Sequence, residues 1–275
     1  MKTMHQALIA VDMDGTLLTP SLTVDERDAA ALKEAIAADA VLLVVTGRCG
    51  EDAMVFLDRA GLSVPVLALN GALGYRMPSG LGAFRTPMAR NTVAGLVALL
   101  EREGVAYTLF GEGEAAQNRP DAAADRWITH REATPTRYGA EAVRSLTDKG
   151  VYKIAYIESE ATERLRRIEC QAWSLPLTVT NSGADNLEFL APGMDKGQAL
   201  RRAARALDIP ATRVLAIGDS ANDVAMLRWA GYSAAMGNSH ASVAATARRR
   251  VAPAGQGGVA EAVRWFLEAA EPNLN

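Results

Sequence analysis

Short apolar runs alternate with longer mixed segments over the first third of the chain. Residues 7–11, 41–45 and 65–69 are almost continuous aliphatic runs, a pattern typical of parallel strands that are buried on both faces. Helices are predicted between them, and the first, rich in alanine, is expected to begin with a capping box at residues 23–26 and to end near residue 38. Strands that alternate with helices in this way predict an α/β fold with a doubly wound parallel sheet.

The last third of the chain returns to the same alternation. It predicts helices and buried strands in turn, at residues 196–207 (helix), 214–217 (strand), 219–230 (helix), 232–236 (strand) and 259–269 (helix). Because the first and last thirds share this pattern, we expect them to build one sheet.

Between these parts the sequence is richer in turns, and its strands are shorter. Strands are predicted at residues 105–110, 151–157, 177–180 and 187–190, and helices at residues 91–103 and 158–173. Residues 111–137 are polar, with few large aliphatic side chains. Short strands with two helices predict a smaller α+β unit inserted into the first domain. The expected division is a core at residues 1–82 and 188–275 and an inserted cap at residues 83–187.

Each predicted core strand ends in polar residues or glycine. Asp12 and Asp14 follow the first strand, and Thr46, Asn70 and Asp219 follow three others. Functional groups collect at the carboxyl ends of parallel strands, so these side chains are expected to converge. Residues two apart in extended backbone face the same side, so Asp12 and Asp14 aim at one point. When two carboxylates lie so near each other, a divalent cation or a shared proton must lie between them.

Phosphoryl transfer needs a nucleophile, a metal ion that offsets charge, donors for the phosphate oxygens and a proton relay. Asp12 can serve as the nucleophile, and Asp14 as the acid and base. Asp219 can add a second carboxylate to a Mg²⁺ ion, which prefers hard oxygen ligands. Thr46 and the loop amides after it supply donors, and Lys196 supplies a positive charge for phosphate. These residues predict phosphoryl-transfer chemistry that requires neither cysteine nor histidine.

In their order along the chain, these segments resemble the four motifs of the haloacid dehalogenase-like phosphatases. The matching segments are residues 12–17, residues 46–48, Lys196 and residues 218–223, with further matches at residues 70–72, 187–189 and 236–239. The resemblance extends from about residue 7 to about residue 267. The insertion between the second and third motifs resembles the large α+β cap of the Cof-type subgroup, which implies a Rossmann-like core beneath it.

The resemblance implies a role for each acidic residue of the motifs. Asp12 is expected to attack phosphorus and to bind Mg²⁺, while Asp14 is expected to act as general acid and base and to reach the metal with its backbone carbonyl. Asp219 is expected as a further metal ligand, and Asp223 as one that acts through water. Family members that hydrolyse a bond to carbon lack the second aspartate of the first motif. The presence of Asp14 at that position therefore favours a phosphate substrate.

The resemblance also implies a set of contacts to phosphate and substrate. Thr46 and Lys196 are expected to hold the phosphate with help from Asn222, and Arg48 and Asn70 to lie near the substrate or orient the loops. The full expected set is Gly15, Thr46, Gly47, Arg48, Asn70, Lys196 and Asn222. The insertion is expected to act as a lid, with hinges near residues 81–87 and 185–192 and candidate substrate contacts at Tyr107, Trp127, Arg131, Arg137 and Lys153.

Composition disfavours several other classes of protein. The net charge of −3 over 275 residues provides no strong field for nucleic acid or an anionic membrane, so neither partner is expected. No apolar run approaches the ~20 residues that span a bilayer. The two cysteines lie far apart in sequence and imply no disulfide framework. We therefore expect a cytoplasmic enzyme that acts on a small phosphorylated metabolite, with monomer and homodimer both open.

The leading hypothesis is a Mg²⁺-dependent phosphomonoester phosphatase that forms an aspartyl-phosphate, and three alternatives stay open. A phosphomutase of the same family would return the phosphoryl group to its substrate. A receiver-like module would bind phosphate without turnover, although Asp14 and Lys196 argue against a pure binder. A nucleotide-sugar transferase would use Asp12 and Asp14 on a metal ion, but it leaves residues 218–223 unexplained.

Overall fold

The computed structural model describes residues 7–124, 132–158 and 162–270, and these residues form two β-sheets. The strands in chain order are β1 (Ala7–Val11), β2 (Ala40–Val45), β3 (Val66–Ala68), β4 (Leu73–Tyr75), β5 (Thr108–Phe110), β6 (Ala115–Gln117), β7 (Thr136–Tyr138), β8 (Lys153–Ile157), β9 (Thr178–Thr180), β10 (Asn186–Leu190), β11 (Val214–Gly218), β12 (Tyr232–Ala235) and β13 (Arg249–Arg250).

Helices cover both sheets. In chain order they are α1 (Glu26–Ala37), α2 (Gly50–Arg59), α3 (Arg90–Arg102), α4 (Ala140–Lys149), α5 (Glu163–Ala172), α6 (Lys196–Leu207), α7 (Val224–Trp229), α8 (Ala241–Ala244) and α9 (Gly258–Ala270). Among the described residues, no helix combines the length and the apolar character needed to cross a lipid bilayer.

The core sheet has the order β13-β12-β11-β1-β2-β3-β4, and its neighbouring strands are parallel except for the pair β3–β4. Central strand β1 is buried on both faces because its side chains alternate between two hydrophobic clusters. Leu8 and Ala10 pack with α6 and α7, whereas Ile9 and Val11 pack with α1 and α9. Helices therefore lie on both sides of the sheet, which confirms the predicted doubly wound α/β fold.

Two local predictions in the core were wrong. Helix α1 starts at Glu26, and its N-cap is Asp25, whose carboxylate accepts a hydrogen bond from the Arg27 backbone N–H. The Thr23 hydroxyl instead bonds to Thr19, so residues 23–26 form no capping box. The third strand was predicted at residues 65–69, but β3 spans only Val66–Ala68, and the chain then turns back and pairs antiparallel as β4, a strand that was not predicted.

The second sheet has the order β7-β6-β5-β8-β10-β9 and is antiparallel except for the pair β6–β7. Strands β6 and β7 lie in the stretch that was predicted only as polar, and helix α4 was not predicted either. Strand β10 belongs wholly to this sheet, so the boundary predicted between residues 187 and 188 falls inside a strand. All five residues of β10 pair with β8, so the second sheet extends to Leu190.

The chain crosses between the sheets at two short connections. At the first, the Thr86 N–H bonds to the core carbonyl of Ala72, whereas the Met88 N–H bonds to Val151 of the second sheet. The second connection lies between β10 and α6, at residues 191–195. The predicted hinge segments, residues 81–87 and 185–192, overlap these connections only in part, and residues 186–190 of the second belong to a strand.

A buried carboxylate also joins the two units. Asp52 of α2 accepts hydrogen bonds through Oδ1 from the backbone N–H groups of Glu132, Ala133 and Thr134, at 2.9, 2.7 and 3.0 Å. Charge-assisted bonds to a buried carboxylate are among the stronger polar contacts in proteins. An exposed ion pair between Arg59 and Glu132 lies beside them. The edge of the second sheet is therefore tied to the start of α2.

The packing of α9 predicts a large loss of stability on truncation. Phe266 is fully buried, and its ring centroid lies 5.0 Å from that of Tyr232. Replacing Phe266 with alanine is expected to lower the free energy of unfolding by about 3–5 kcal/mol, because it removes apolar burial and leaves a cavity. Urea unfolding measures this change. Trp173→Ala, at a site 67% exposed, is the control and should change stability by under about 0.5 kcal/mol.

The Asp52 contact predicts a change in amide exchange. Asp52→Ala leaves three backbone N–H groups without their acceptor, so Glu132, Ala133 and Thr134 should exchange their amide hydrogens about 5- to 150-fold faster. Hydrogen-exchange mass spectrometry or NMR gives these rates. Arg59→Met, which breaks only the exposed ion pair to Glu132, should leave them unchanged. Equal rates in wild type and Asp52→Ala would show that this contact does not hold the segment.

Candidate active site

The polar ends of the core strands meet at one edge of the sheet. Asp12 follows β1, and its backbone N–H still donates to Ile217 of β11 at 2.9 Å. Thr46 follows β2 and Asp219 follows β11, the two strands that flank β1. Because these three strands are parallel, their carboxyl ends lie side by side, as the sequence predicted.

A buried lysine lies between two of the aspartates. Lys196 is the first residue of α6, which Asp195 caps by accepting a hydrogen bond from the Gln198 backbone N–H. Its ammonium lies 2.5 Å from Asp12 Oδ1 and 2.7 Å from Asp223 Oδ1, and all three side chains are buried. Burial lowers the pKa of Lys196, but the two carboxylates outweigh it and raise the pKa above the usual value. Lys196 therefore stays charged although its side chain is buried.

The loop after β11 is ordered by its own side chains. Asp223 Oδ2 accepts hydrogen bonds from the backbone N–H groups of Asp219 and Ser220, each at 3.0 Å. The Thr16 hydroxyl donates to Asp219 Oδ1 at 3.1 Å. Both oxygens of Asp223 are thus engaged, one by Lys196 and one by the loop. Asp223 is placed to support Lys196 and Asp219.

The acidic cluster has the donor set of a divalent-cation site. Carboxylate oxygens of Asp12, Asp219 and Asp223 all lie within 4.8 Å of one another. Burial, followed by repulsion from Asp223, raises the pKa of Asp12 well above its usual value and that of Asp219 to about 6. A cation would offset this repulsion, and oxygen ligands suit Mg²⁺. Gly15 has a φ of +73° and packs closely against this cluster, because a Cβ there would collide with the Asp219 carboxylate.

The second loop carries a pair of charges at the cavity mouth. The Arg48 backbone N–H donates to Thr46 Oγ1 at 3.1 Å, which shapes the turn after β2. The Arg48 guanidinium donates to both oxygens of Asp14, from Nε at 2.8 Å to Oδ2 and from Nη2 at 2.5 Å to Oδ1. It also lies 4.9 Å from the centroid of the Phe56 ring. Asp14 does not join the carboxylate cluster through its side chain, and contact of its backbone carbonyl with a metal stays a prediction.

Asn70 occupies a strained turn between the loops. Leu69, Asn70 and Gly71 have φ values of 51°, 56° and 93°, so two non-glycine residues adopt the left-handed conformation in succession. The Asn70 amide nitrogen donates to Glu188 Oε2 at 2.6 Å, and its oxygen accepts from Asn222 at 3.4 Å. Both ends of the Asn70 amide are therefore bonded to protein groups. This residue was predicted to touch substrate or orient the loops, and its contacts match the second role.

A cavity of about 280 Å³ opens above these groups, between the two sheets. It is lined by Asp12, Asp14, Gly47, Arg48, Cys49, Asp52, Phe110, Lys153, Ser182, Glu188, Lys196, Ser220 and Asn222. Six of the predicted site residues thus face it. Within the described residues, Gly15, Thr46, Asn70, Asp219 and Asp223 are not part of the lining, and they stand around or behind it.

The second sheet contributes different side chains from those expected. Of the predicted cap contacts, only Lys153 lines the cavity within the described part of the chain. Tyr107 is buried and donates to Glu101, and Arg137 pairs with Glu114. Trp127 and Arg131 lie outside the described residues. Phe110, Ser182 and Asp52 were missed, and no local pattern marks them; Glu188 was noted only within the segment 187–189.

Comparison with known proteins gives the same assignment as the motifs. The model of the haloacid dehalogenase-like hydrolase family matches residues 9–263. The chain is 29% identical to phosphatase YwpJ of Bacillus subtilis, over 94% of this chain and 99% of that one. It is 26% identical to pyridoxal phosphate phosphatase YbhA of Escherichia coli, over 89% and 92% of the two chains.

A solved structure shares the whole architecture. A haloacid dehalogenase-like hydrolase from B. subtilis superposes with a TM-score of 0.83 at 24% identity, covering 94% of this chain and 99% of that chain. The family match, the phosphatase relatives and the shared fold agree with the order of the four motifs. The chain belongs to the haloacid dehalogenase-like hydrolases, as a Cof-type phosphatase.

Proposed function

We propose that this phosphatase is Mg²⁺-dependent and hydrolyses a small phosphomonoester through a phosphorylated Asp12. The observation that carries the proposal is the contact between the buried side chains of Asp12 and Lys196, which both line the cavity with Arg48, while Asp219 lies beside Asp12 behind the lining. A pure phosphate binder needs no carboxylate nucleophile and no acid–base residue. Here both Asp12 and Asp14 line the cavity.

In the first step an oxygen of the Asp12 carboxylate attacks phosphorus, forming a new O–P bond while the ester P–O bond breaks. Asp14 donates a proton to the leaving alkoxide, which then departs as the alcohol. Lys196 holds the Asp12 carboxylate in place at 2.5 Å and balances negative charge as the phosphate approaches. Exclusion of water around the buried groups strengthens both effects.

In the second step water attacks the phosphorus of the acyl phosphate. Asp14, now a carboxylate, takes the proton from that water, and the O–P bond to Asp12 breaks to release phosphate. Arg48 holds the Asp14 carboxylate at the cavity mouth through contacts to both oxygens. Because both Asp14 oxygens accept from Arg48, one of these contacts must break before Asp14 can give or take a proton.

Asp12 and Asp219 are the carboxylates that would hold Mg²⁺, with Asp223 supporting them through Lys196 and the loop amides. Mg²⁺ bound there would neutralise charge on the phosphate oxygens during transfer. The backbone amides of the loop after β2 would donate to the phosphate oxygens, beside Arg48 in the cavity lining.

The size and lining of the cavity support a small phosphorylated metabolite as substrate. A volume of about 280 Å³ suits a compact leaving group. Phe110 offers an apolar face, whereas Lys153 and Ser182 offer polar groups from the second sheet. One relative acts on pyridoxal phosphate, a compact phosphorylated ring compound. The second sheet thus supplies the lid that closes over the leaving group, and the segments 86–88 and 191–195 supply its hinges.

The nucleophile assignment predicts the kinetics of two variants. Asp12→Asn should abolish phosphate release from an aryl phosphate, because the amide cannot form the acyl phosphate. Asp14→Asn should slow kcat by about 10²–10⁴-fold, the usual contribution of a general acid–base group. Steady-state assays with Mg²⁺ and circular dichroism test activity and folding. Asp58→Asn, an exposed carboxylate paired with Arg76, is the control.

Product analysis separates this reaction from its alternatives. Release of inorganic phosphate with each substrate consumed supports hydrolysis, whereas recovery of an isomeric sugar phosphate would indicate a mutase. An Asp12→Asn variant that hydrolyses at the wild-type rate would rule out Asp12 as the nucleophile.

The carboxylate cluster predicts that Mg²⁺ stabilises the folded protein. At a concentration about 100-fold above Kd, a cation that binds only the native state adds about 2.7 kcal/mol, which raises the Tm. Asp219→Asn should lose most of this increase, and Asp58→Asn should retain it. Differential scanning calorimetry with and without EDTA makes the measurement. An equal increase in Asp219→Asn and wild type would place the cation elsewhere.

A further inference from the structure

A buried ion pair in the second sheet reaches into the core next to the phosphate-binding loops. Lys153 of β8 and Glu188 of β10 form an ion pair of 3.0 Å, and each side chain is only 2% exposed. The two strands pair antiparallel with Lys153 opposite Leu190 and Ala155 opposite Glu188, so both charges emerge on the same face. Both residues also line the cavity.

Each member of the pair contacts a different core loop. Lys153 Nζ donates to the backbone carbonyl of Gly47 at 2.7 Å, in the loop between Thr46 and Arg48. Glu188 uses its second oxygen to accept from the Asn70 amide at 2.6 Å. Asn70 in turn accepts from Asn222, in the loop after β11. One ion pair therefore connects three loops that come from three different core strands.

Gly47 lies at the centre of this arrangement. A Cβ at Gly47 would meet Asn70 Oδ1 at 3.2 Å, Glu188 Oε1 at 3.7 Å and Lys153 Nζ at 3.8 Å. The polar groups thus surround the backbone of the loop whose amides are proposed to bind phosphate. The Lys153 ammonium also lies 4.8 Å from the centroid of the Phe110 ring, which covers it from the second sheet.

The position of Glu188 along the chain adds a second connection. Two residues after Glu188, β10 ends, and residues 191–195 lead directly into α6, whose first residue is Lys196. The same short stretch of chain therefore carries a charge that orients Asn70 and the ammonium that holds Asp12.

We propose that Lys153 and Glu188 act together as positioning residues that set the phosphate-binding loops, so that turnover depends on this pair even when the leaving group never touches it. The kinetic test of this positioning role rests on the proposed phosphatase function. A buried ion pair costs desolvation free energy and contributes little net stability, so its contacts to the loops are the more direct account of its presence. Neither residue exchanges protons or bonds with substrate in this role.

Three variants separate the contributions of the pair. Lys153→Met removes the donor to Gly47 and leaves a buried carboxylate, so kcat should fall by about 10- to 100-fold, the usual cost of losing a group that orients active-site ligands. Glu188→Gln keeps an acceptor for Asn70 and should cost less. The double variant removes both charges, so its loss should be smaller than the product of the two single losses.

The matched control is a lysine of the same unit outside the cavity. Lys149 is exposed and lies 2.6 Å from Glu114, so Lys149→Met removes an ion pair of the second unit without touching a core loop. Its kcat and KM should stay within about 2-fold of wild type, because exposed pairs contribute little.

The experiment measures kcat and KM with a small aryl phosphate, and the Kd of inorganic phosphate by calorimetry in Mg²⁺. Weaker phosphate binding and lower kcat in Lys153→Met, with non-multiplicative loss in the double variant, support the proposal. Unchanged phosphate Kd and unchanged kcat per folded molecule, with only a lower Tm, would overturn it and leave a structural role. Should Lys153→Met fail to fold, Glu188→Gln decides by the same two measurements.

The two hypotheses fail in different ways. A wild-type protein that binds phosphate but hydrolyses nothing would refute the proposed reaction, while weaker phosphate binding by Lys153→Met and Glu188→Gln would still support the positioning role. A wild-type protein that hydrolyses normally, together with variants that match it, would refute only the positioning role.

Discussion

The buried ammonium of Lys196, held between Asp12 and Asp223, is the interaction on which the rest of the site depends. Three carboxylates from the loops after β1 and β11 converge, and without a positive charge they would repel one another where burial weakens their contact with solvent. Lys196 supplies one charge from the start of α6, and a divalent cation beside Asp219 would supply more. The arrangement keeps Asp12 oriented and leaves it accessible from the cavity.

The second sheet takes part in the site in two ways. Asp52 ties its far edge to α2 through three backbone N–H groups, and Lys153 and Glu188 tie its inner face to the loops after β2 and β3. Asn70 carries this link on to Asn222 in the loop after β11. These contacts are polar and mostly buried, so they are directional and hold the two units in a defined arrangement. In the described part of the chain the two units are linked covalently at residues 86–88 and 191–195, and the polar contacts add further links between them.

The parts of this structure that were predicted from sequence depend on local signals. Strand β1 and the two carboxylates after it are marked by an apolar run that stops abruptly, and α6 starts at the predicted residue, Lys196. Where local signals compete, the prediction failed: Thr23 and Asp25 are both good N-cap residues, and only the fold selects Asp25. Strands β6 and β7 span three residues each, too few to show a period.

The missed site residues depend on partners that are remote in sequence. An aspartate in the first turn of a helix, such as Asp52, is explained by the helix dipole alone until residues 132–134 are placed beside it. Glu188 similarly shows its role only once Asn70 and Lys153 are placed next to it. Such roles follow from tertiary contacts, and a single sequence carries no local mark of them.

A crystal structure grown with Mn²⁺ and orthovanadate would test the central claim most directly. The account predicts an anomalous Mn²⁺ peak bound by carboxylate oxygens of Asp12 and Asp219, a vanadium atom bonded to Asp12, and Lys196 still in contact with Asp12. A metal peak away from both carboxylates, or vanadate bound with Asp12 turned away from it, would contradict the account.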